Sequence, residues 1–380
     1  MARQTGARTR IGFYAPIKPP DHPIASGDRQ MARMLMAALA RGGHDVFLAT
    51  RHISYSKRPG AEHLAARRQG ALAEAERLLS GWRAEGGAPE LWFCYHPYDK
   101  SPDWIGPRVA AALGIPMVTA EPCKTGQGPN GEWLPWRMEA QQGILAADMN
   151  IVMTESDRNY LAGFVPADRM TFMPPFIDAD LLVPGTAPTD AWPHGHGGVR
   201  LLAVGMMRPG AKMESYKALS SALRALGDRD WRLAIVGGGP GEAEVRAMFA
   251  FAGDRAVLLG ERPQGEVLAL MAQADLLAWP GSKEAYGMVY LEAAAMGTPA
   301  VALANMGVPL VVRHAETGLL ADPAAENGYR DALAAAIDNA ELRRRLAQGA
   351  RNFARIERSG ERAAATLRGV IADVLRKRGA

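Results

Sequence analysis

At 380 residues the chain exceeds what one hydrophobic core usually organises, and its 48% apolar content can fill two, so two domains of roughly 150 to 200 residues each are expected. A net charge of +4 is mild, and the arginines spread through helices instead of gathering in aromatic-interleaved patches, which argues against nucleic acid as a partner. Two cysteines, Cys94 and Cys123, provide neither a disulfide framework nor a paired metal spacing and read as core or near-core thiols, in keeping with a reducing cytoplasm.

The first ten residues are basic, but Pro16, Lys18, Pro19 and Pro20 break the apolar run that follows, so no signal peptide is expected. No window approaches the roughly 20 uncharged apolar residues of a membrane span. A cytoplasmic protein is therefore expected. Residues 63–79 have helical periodicity with basic residues on one side; a solvated surface helix is the plain reading, and peripheral contact with the inner face of a membrane is the other.

Apolar runs then alternate with amphipathic segments, the pattern of stacked βα units and parallel sheets in an α/β protein. Residues 10–15 read as the first strand. A proline-rich loop ends at Ser26-Gly27-Asp28 and leads to a helix through about Arg41, closed by Gly42 and Gly43. Residues 45–50, 91–95, 115–119 and 150–153 read as further strands. Residues 174–198 are dense in Pro, Gly, Asp and His and mark a link between domains. Strands resume at 201–205, 232–236, 256–259, 275–279 and 300–304, and the last helices run from about Gly328 to Lys377. Each half reads as a Rossmann-like layer, and such open sheets bind ligands beyond the carboxyl ends of their strands.

Residues 276–292 carry the sharpest signal. A short buried strand ends at Pro280, Gly281-Ser282-Lys283-Glu284 form a loop, and Gly287 opens a helix that holds Glu292, eight residues beyond Glu284. The first amides of that helix, from Gly287, Met288 and Val289, lie at its positive dipole end and can hold a phosphate without a cationic side chain. A carboxylate accepts two hydrogen bonds from vicinal hydroxyls, so one acid can clasp a sugar and the other a ribose, with the phosphates between them. At Ser26-Gly27-Asp28 an unhindered backbone admits a phosphate or acceptor; a simple Ser/Asp helix cap is the competing reading.

Other motifs point away from chemistry. Gly237 to Gly241 follow a strand and precede a helix, but a dinucleotide fingerprint needs glycine at the position of Glu242, and a tight turn is the better reading. Asp178 with Asp180 resembles a metal-holding aspartate pair but falls in the link, and His194 with His196 lacks further ligands at suitable spacing. Trp133 and Trp136, in the variable loop 124–136, either stack on a sugar ring or pack a lid.

The Glu284-x7-Glu292 motif, with Ala293 to Ala302, Gly307 and Glu316-Thr317-Gly318-Leu319-Leu320, resembles the retaining glycosyltransferases of family 4, which have the GT-B fold; weaker similarity covers most of the remaining chain. The resemblance implies two Rossmann-like domains facing a central cleft. These are an acceptor-side domain at 1–180, a linker at 181–198, a donor-side domain at 199–355, and a final segment, 356–380, that returns to the first domain. It implies transfer of a sugar from a nucleoside diphosphate-sugar to an acceptor hydroxyl with retention and without a metal or other cofactor. The acceptor would be a glycan, a lipid-linked molecule or a small molecule.

By the same resemblance, Gly27, Arg208 and Lys212 join Gly287, Met288 and Val289 around the donor diphosphate. Glu284 holds the donor sugar, and Glu292, Gly237 and Arg262 serve the ribose and base. The chain departs from the family pattern in two places: Met206 stands where an arginine is usual, with Lys212 one residue late, and Glu121 stands where a second histidine follows a strand. His96 and Glu121, each at a strand end of the first domain, are the remaining candidates for a direct part in the reaction. A nucleotide-sugar 2-epimerase of the same fold and a non-catalytic nucleotide or glycan binder are the alternatives.

Overall fold

The computed structural model describes residues 8–24, 26–124, 131–192 and 198–379. The His194 and His196 pair and residues 125–130 of the tryptophan-bearing loop lie outside them. The chain divides into two compact units, one running to Pro174 and resuming at Gly360, the other spanning Pro175–Ser359. The boundaries thus differ from those expected at 180, 198 and 355. Part of the expected link packs on the second unit: Gly185 N–H donates to Gly265 O at 2.8 Å, Trp192 Nε1 to Gln273 Oε1 at 2.8 Å, and Ala191 is fully buried.

In the first unit the order is β1 (Arg10–Tyr14), α1 (Gly27–Arg41), β2 (Asp45–Leu48), α2 (Ala61–Glu85), β3 (Leu91–Tyr95), α3 (Ile105–Leu113), β4 (Met117–Ala120), α4 (Leu134–Ala146), β5 (Met149–Val152), α5 (Glu155–Leu161) and β6 (Met170–Phe172). The strands form one parallel sheet in the order β2-β1-β3-β4-β5-β6. Strands β3, β4 and β5 are buried along their whole length, as a sheet covered by helices on both faces requires. Their side chains are nearly all apolar for that reason. Trp133 and Trp136 pack with Trp104 in the core beside α2 and α3, which assigns them to packing and removes the sugar-stacking reading.

The second unit runs β7 (Val199–Val204), α6 (Ala211–Ala225), β8 (Trp231–Val236), α7 (Glu242–Phe249), β9 (Ala256–Gly260), α8 (Gln264–Gln273), β10 (Leu276–Ala278), α9 (Met288–Met296), β11 (Ala300–Leu303), β12 (Gly318–Ala321), α10 (Gly328–Asp338) and α11 (Ala340–Asn352). Its parallel sheet has the order β12-β11-β10-β7-β8-β9. Read from the other edge this is the Rossmann order 3-2-1-4-5-6. Strands β6 and β12, absent from the sequence expectation, are short edge strands.

The last helix, α12 (Gly360–Gly379), belongs to the first unit, where it packs on α1. Ala363, Ala364, Leu367, Val370, Ile371 and Val374 recur at helical spacing and are buried, while Arg368 Nε donates to Gly42 O at 3.1 Å. Among the described residues no helix is long and apolar enough to cross a membrane. Because Ile371 is fully buried, Ile371→Ala is expected to destabilise the first unit by about 2–5 kcal/mol, read as an earlier urea transition.

Candidate functional site

In the second unit the order of strand addition reverses between β7 and β10, and ligands of such sheets sit beyond the strand ends at that reversal. The loops leaving these two strands are 205–210 and 279–287. They are joined through the first turn of α6. Ser282 N–H donates to the buried Ser215 Oγ at 2.9 Å, Lys283 Nζ meets Glu214 Oε1 at 2.9 Å, and Lys212 Nζ donates to Glu284 Oε1. The Lys212 and Glu284 side chains are each less than a fifth exposed. The tryptophan at the end of β10 completes the group, with Trp279 Nε1 3.4 Å from the same Glu284 oxygen and Lys212 Nζ 5.4 Å from the indole centroid.

Gly287 caps α9 with φ 84°, a left-handed conformation that disfavours any side chain. As the first turn of α9, Gly287, Met288 and Val289 have N–H groups without partners inside the helix. One turn further along, Gln264 Nε2 donates to Glu292 Oε1 at 3.2 Å, and burial raises the Glu292 carboxyl above the ordinary range despite that hydrogen bond. Gln264 opens α8, so β9's exit loop supplies the partner.

The glycine-rich turn after β8 has a packing cause. Gly237 has φ 143°, and a Cβ there would come within 1.9 Å of Gly205 O. Met207 N–H donates to Gly238 O and Gly241 N–H to Met207 O, both at 2.8 Å, so the turn shapes the loop that follows β7. Arg262, expected near the base, is engaged locally, with Nε donating to Leu259 O at 2.9 Å and Nη1 3.7 Å from Glu266. Arg208 is exposed, and no ion pair ties it to another described residue. Met206 is half exposed beside it.

In the first unit the reversal lies between β1 and β3. His96 follows β3 and Glu121 follows β4, with φ of 60° and 56°, values that L side chains seldom adopt and that concentrate at functional sites. His96 Nδ1 is 3.1 Å from Asp28 Oδ1 and its Nε2 is 3.3 Å from Cys123 Sγ, while Tyr95 Oη donates to Glu121 Oε2 at 3.2 Å. Burial alone would lower the His96 pKa, but Cys123, Glu121 and Asp28 together raise it well above the ordinary value. Burial opposes ionisation of Asp28, but the hydrogen bond to His96 and its charge hold the carboxyl below the usual range. Gly27 opens α1, with Ser26 Oγ accepting from Arg29 N–H at 3.2 Å, so the helix-cap reading holds for Ser26; a Cβ on Gly27 would meet nothing within 4 Å.

The structure therefore assembles Lys212, Glu284 and the α9 terminus in one unit, and Gly27, His96 and Glu121 with Asp28 and Cys123 in the other. Arg262 makes local contacts with Leu259 and Glu266, and Arg208 is exposed. Trp279, Gln264, Asp28 and Cys123 were not singled out for these contacts; only the adjacency of Asp28 to Gly27 carried a signal. Asp178 accepts from Asp180 N–H at 3.3 Å as a local cap. Among the described residues no cluster of three or more His, Cys, Asp or Glu side chains is placed to hold a metal.

A raised histidine pKa adds stability below the unfolded value of about 6.5, and that stability is lost as pH climbs through the folded value. The melting temperature should fall as pH rises above about 6.5, and the fall should be smaller in His96→Gln, as followed by thermal melts across the pH range.

Residues 204–353 match the family described as Glycosyl transferases group 1. A D-inositol 3-phosphate glycosyltransferase of Corynebacterium glutamicum is 31% identical over 236 residues, 58% of this chain and 56% of the relative. That alignment therefore spans little more than half of the relative's length. The enzyme of the same name from Corynebacterium diphtheriae is 27% identical over 370 residues, 87% of this chain and 86% of the relative. Among solved structures, a sucrose-phosphate synthase from Thermosynechococcus elongatus superposes with a TM-score of 0.71 at 20% identity, over 97% of this chain and 100% of that one, a likeness of fold. The chain thus has the GT-B fold, and its residues 204–353 match the glycosyl transferases group 1 family.

Proposed function

We propose that the protein is a retaining glycosyltransferase that moves a sugar from a nucleoside diphosphate-sugar to an acceptor hydroxyl in glycan, polysaccharide or glycolipid synthesis. One observation carries the reading: Lys212 and Glu284 meet at the reversal point of a Rossmann-order sheet, in the loop that ends at the positive terminus of α9. The family match over residues 204–353 and the names of the two relatives support it.

In this reading Lys212 and the amides of Gly287, Met288 and Val289 take the diphosphate charge, with exposed Arg208 free to add a second cation. Glu284 accepts from donor-sugar hydroxyls and Glu292 from the ribose. The bond between the anomeric carbon and the diphosphate oxygen breaks, its electron pair going to that oxygen. The acceptor oxygen forms its bond to the same face of the carbon and passes its proton to the departing phosphate. The protein orients the partners and stabilises charge. In the first unit, His96, held by Asp28 and raised toward its charged form, and Glu121 serve the acceptor side. The charge-bearing groups are cations and amides, so no divalent ion is required.

A thermal-shift screen with UDP-, GDP- and ADP-sugars should reveal one stabilising donor. Glu292→Gln should lose about tenfold or more in affinity for it, in line with the roughly 1.5–3 kcal/mol of a hydrogen bond to a charged group. Because burial raises the Glu292 pKa, donor affinity in the parent protein should weaken as pH falls through that raised value, and the variant should lack the dependence. Turnover should survive excess EDTA; loss restored by a divalent cation would refute the metal-free scheme. Conversion of UDP-N-acetylglucosamine with no acceptor present would identify an epimerase instead.

A further inference from the structure

We infer that Trp279 is a positioning residue for the donor, holding Glu284 in place when Lys212 is drawn to the diphosphate. The inference rests on the donor-site reading above and concerns a residue to which that reading gives no part.

Trp279 is fully buried and its indole is fixed from several sides. Its carbonyl accepts from Tyr290 Oη at 2.9 Å, which ties the strand end to α9. Its ring meets the edge of Tyr216 from α6, with centroids 5.0 Å apart and planes at 77°. Tyr216 Oη in turn donates to Gly205 O at 2.6 Å, and Gly205 itself leaves room for the indole, since a Cβ there would come within 2.6 Å of Trp279 Cη2. The indole is thus locked between the β7 exit, α6 and α9.

That locked ring touches both charged groups of the donor grip. Lys212 Nζ stands 5.4 Å from its centroid, within cation–π range, and Nε1 lies 3.4 Å from Glu284 Oε1. Glu284 Oε1 is shared between Lys212 and the indole, while Oε2 accepts no hydrogen bond from a described residue. A diphosphate competes with Glu284 for the Lys212 ammonium, because a lysine is a flexible point charge with rotatable donors. Once Lys212 turns to the phosphates, the indole N–H is the remaining donor on Oε1. It restricts carboxylate rotation and keeps Oε2 available to a sugar hydroxyl. Without it, Glu284 must lose more side-chain freedom to bind the sugar.

The consequence is selective. Trp279 should matter for the sugar portion of the donor and hardly at all for the nucleoside diphosphate. The test uses the full chain and calorimetric affinities for UDP-, GDP- or ADP-glucose, whichever shifts the parent protein most, together with the matching free diphosphate. Trp279→Phe keeps an aromatic face beneath Lys212 and removes the N–H. It should weaken nucleotide-sugar binding about tenfold, the roughly 1.4 kcal/mol scale of one hydrogen bond, and change diphosphate binding by less than about twofold. In the Glu284→Gln background the same change should have little further effect, since the two residues act through one contact. Substitution by 3-benzothienylalanine, which replaces only the N–H by sulfur, should reproduce the Phe result even if Phe packs poorly.

Equal weakening of both ligands in the benzothienyl variant, or effects of Trp279→Phe and Glu284→Gln that simply add, would overturn the assignment of Trp279 and leave the donor site standing. So would parent-like affinity in both Trp279 variants. Failure of the parent protein to bind any of the nucleotide-sugars would overturn the donor-site reading and this inference together.

Discussion

The ion pair between Lys212 and Glu284 is the interaction on which the rest of the second unit's site depends. Each partner lies on a segment that leaves one of the two strands flanking the sheet reversal, so the pair can form only if β7 and β10 are neighbours. Ser215 to Ser282 and Glu214 to Lys283 repeat the same link along the first turn of α6. A buried charge is costly unless paired, and here the partner of each charge is the other. A group that can exchange this partner for a phosphate or a hydroxyl keeps its charge satisfied in both states.

The loops around the pair are shaped by absent side chains. Gly237 can lie against the Gly205 carbonyl because it has no Cβ, and the main-chain hydrogen bonds from Met207 and Gly241 then hold the β7 exit in one course. A turn that reads as a broken dinucleotide fingerprint is in this way a packing device. Its spacing follows from where the neighbouring loop runs, and no ligand need be invoked.

The first unit solves a different electrostatic problem. His96, partly buried, lies among Asp28, Glu121 and Cys123, and these neighbours together outweigh the desolvation that would otherwise keep the imidazole neutral. His96 and Glu121 both adopt left-handed backbone conformations at the ends of adjacent strands, strain that the surrounding sheet must hold in place. Glu121 adds to that cluster a charge that favours the protonated imidazole.

Much of this was determined by the sequence alone. Two α/β layers, the ten principal strands and the Glu284-x7-Glu292 segment were legible because buried strands are continuous apolar runs, and because a glycine at a helix start leaves a local mark. Only the tertiary structure decided the rest. Strands β6 and β12 are too short to show periodicity, and residues 175–192 join the second unit through contacts their proline-rich composition does not reveal. Trp133 and Trp136 proved to be core, and Arg262 folded back onto its own strand end. Above all, the meeting of Lys212, Trp279 and Glu284 joins residues up to 72 positions apart. Periodicity and capping report on neighbours along the chain, whereas strand order brings such groups together.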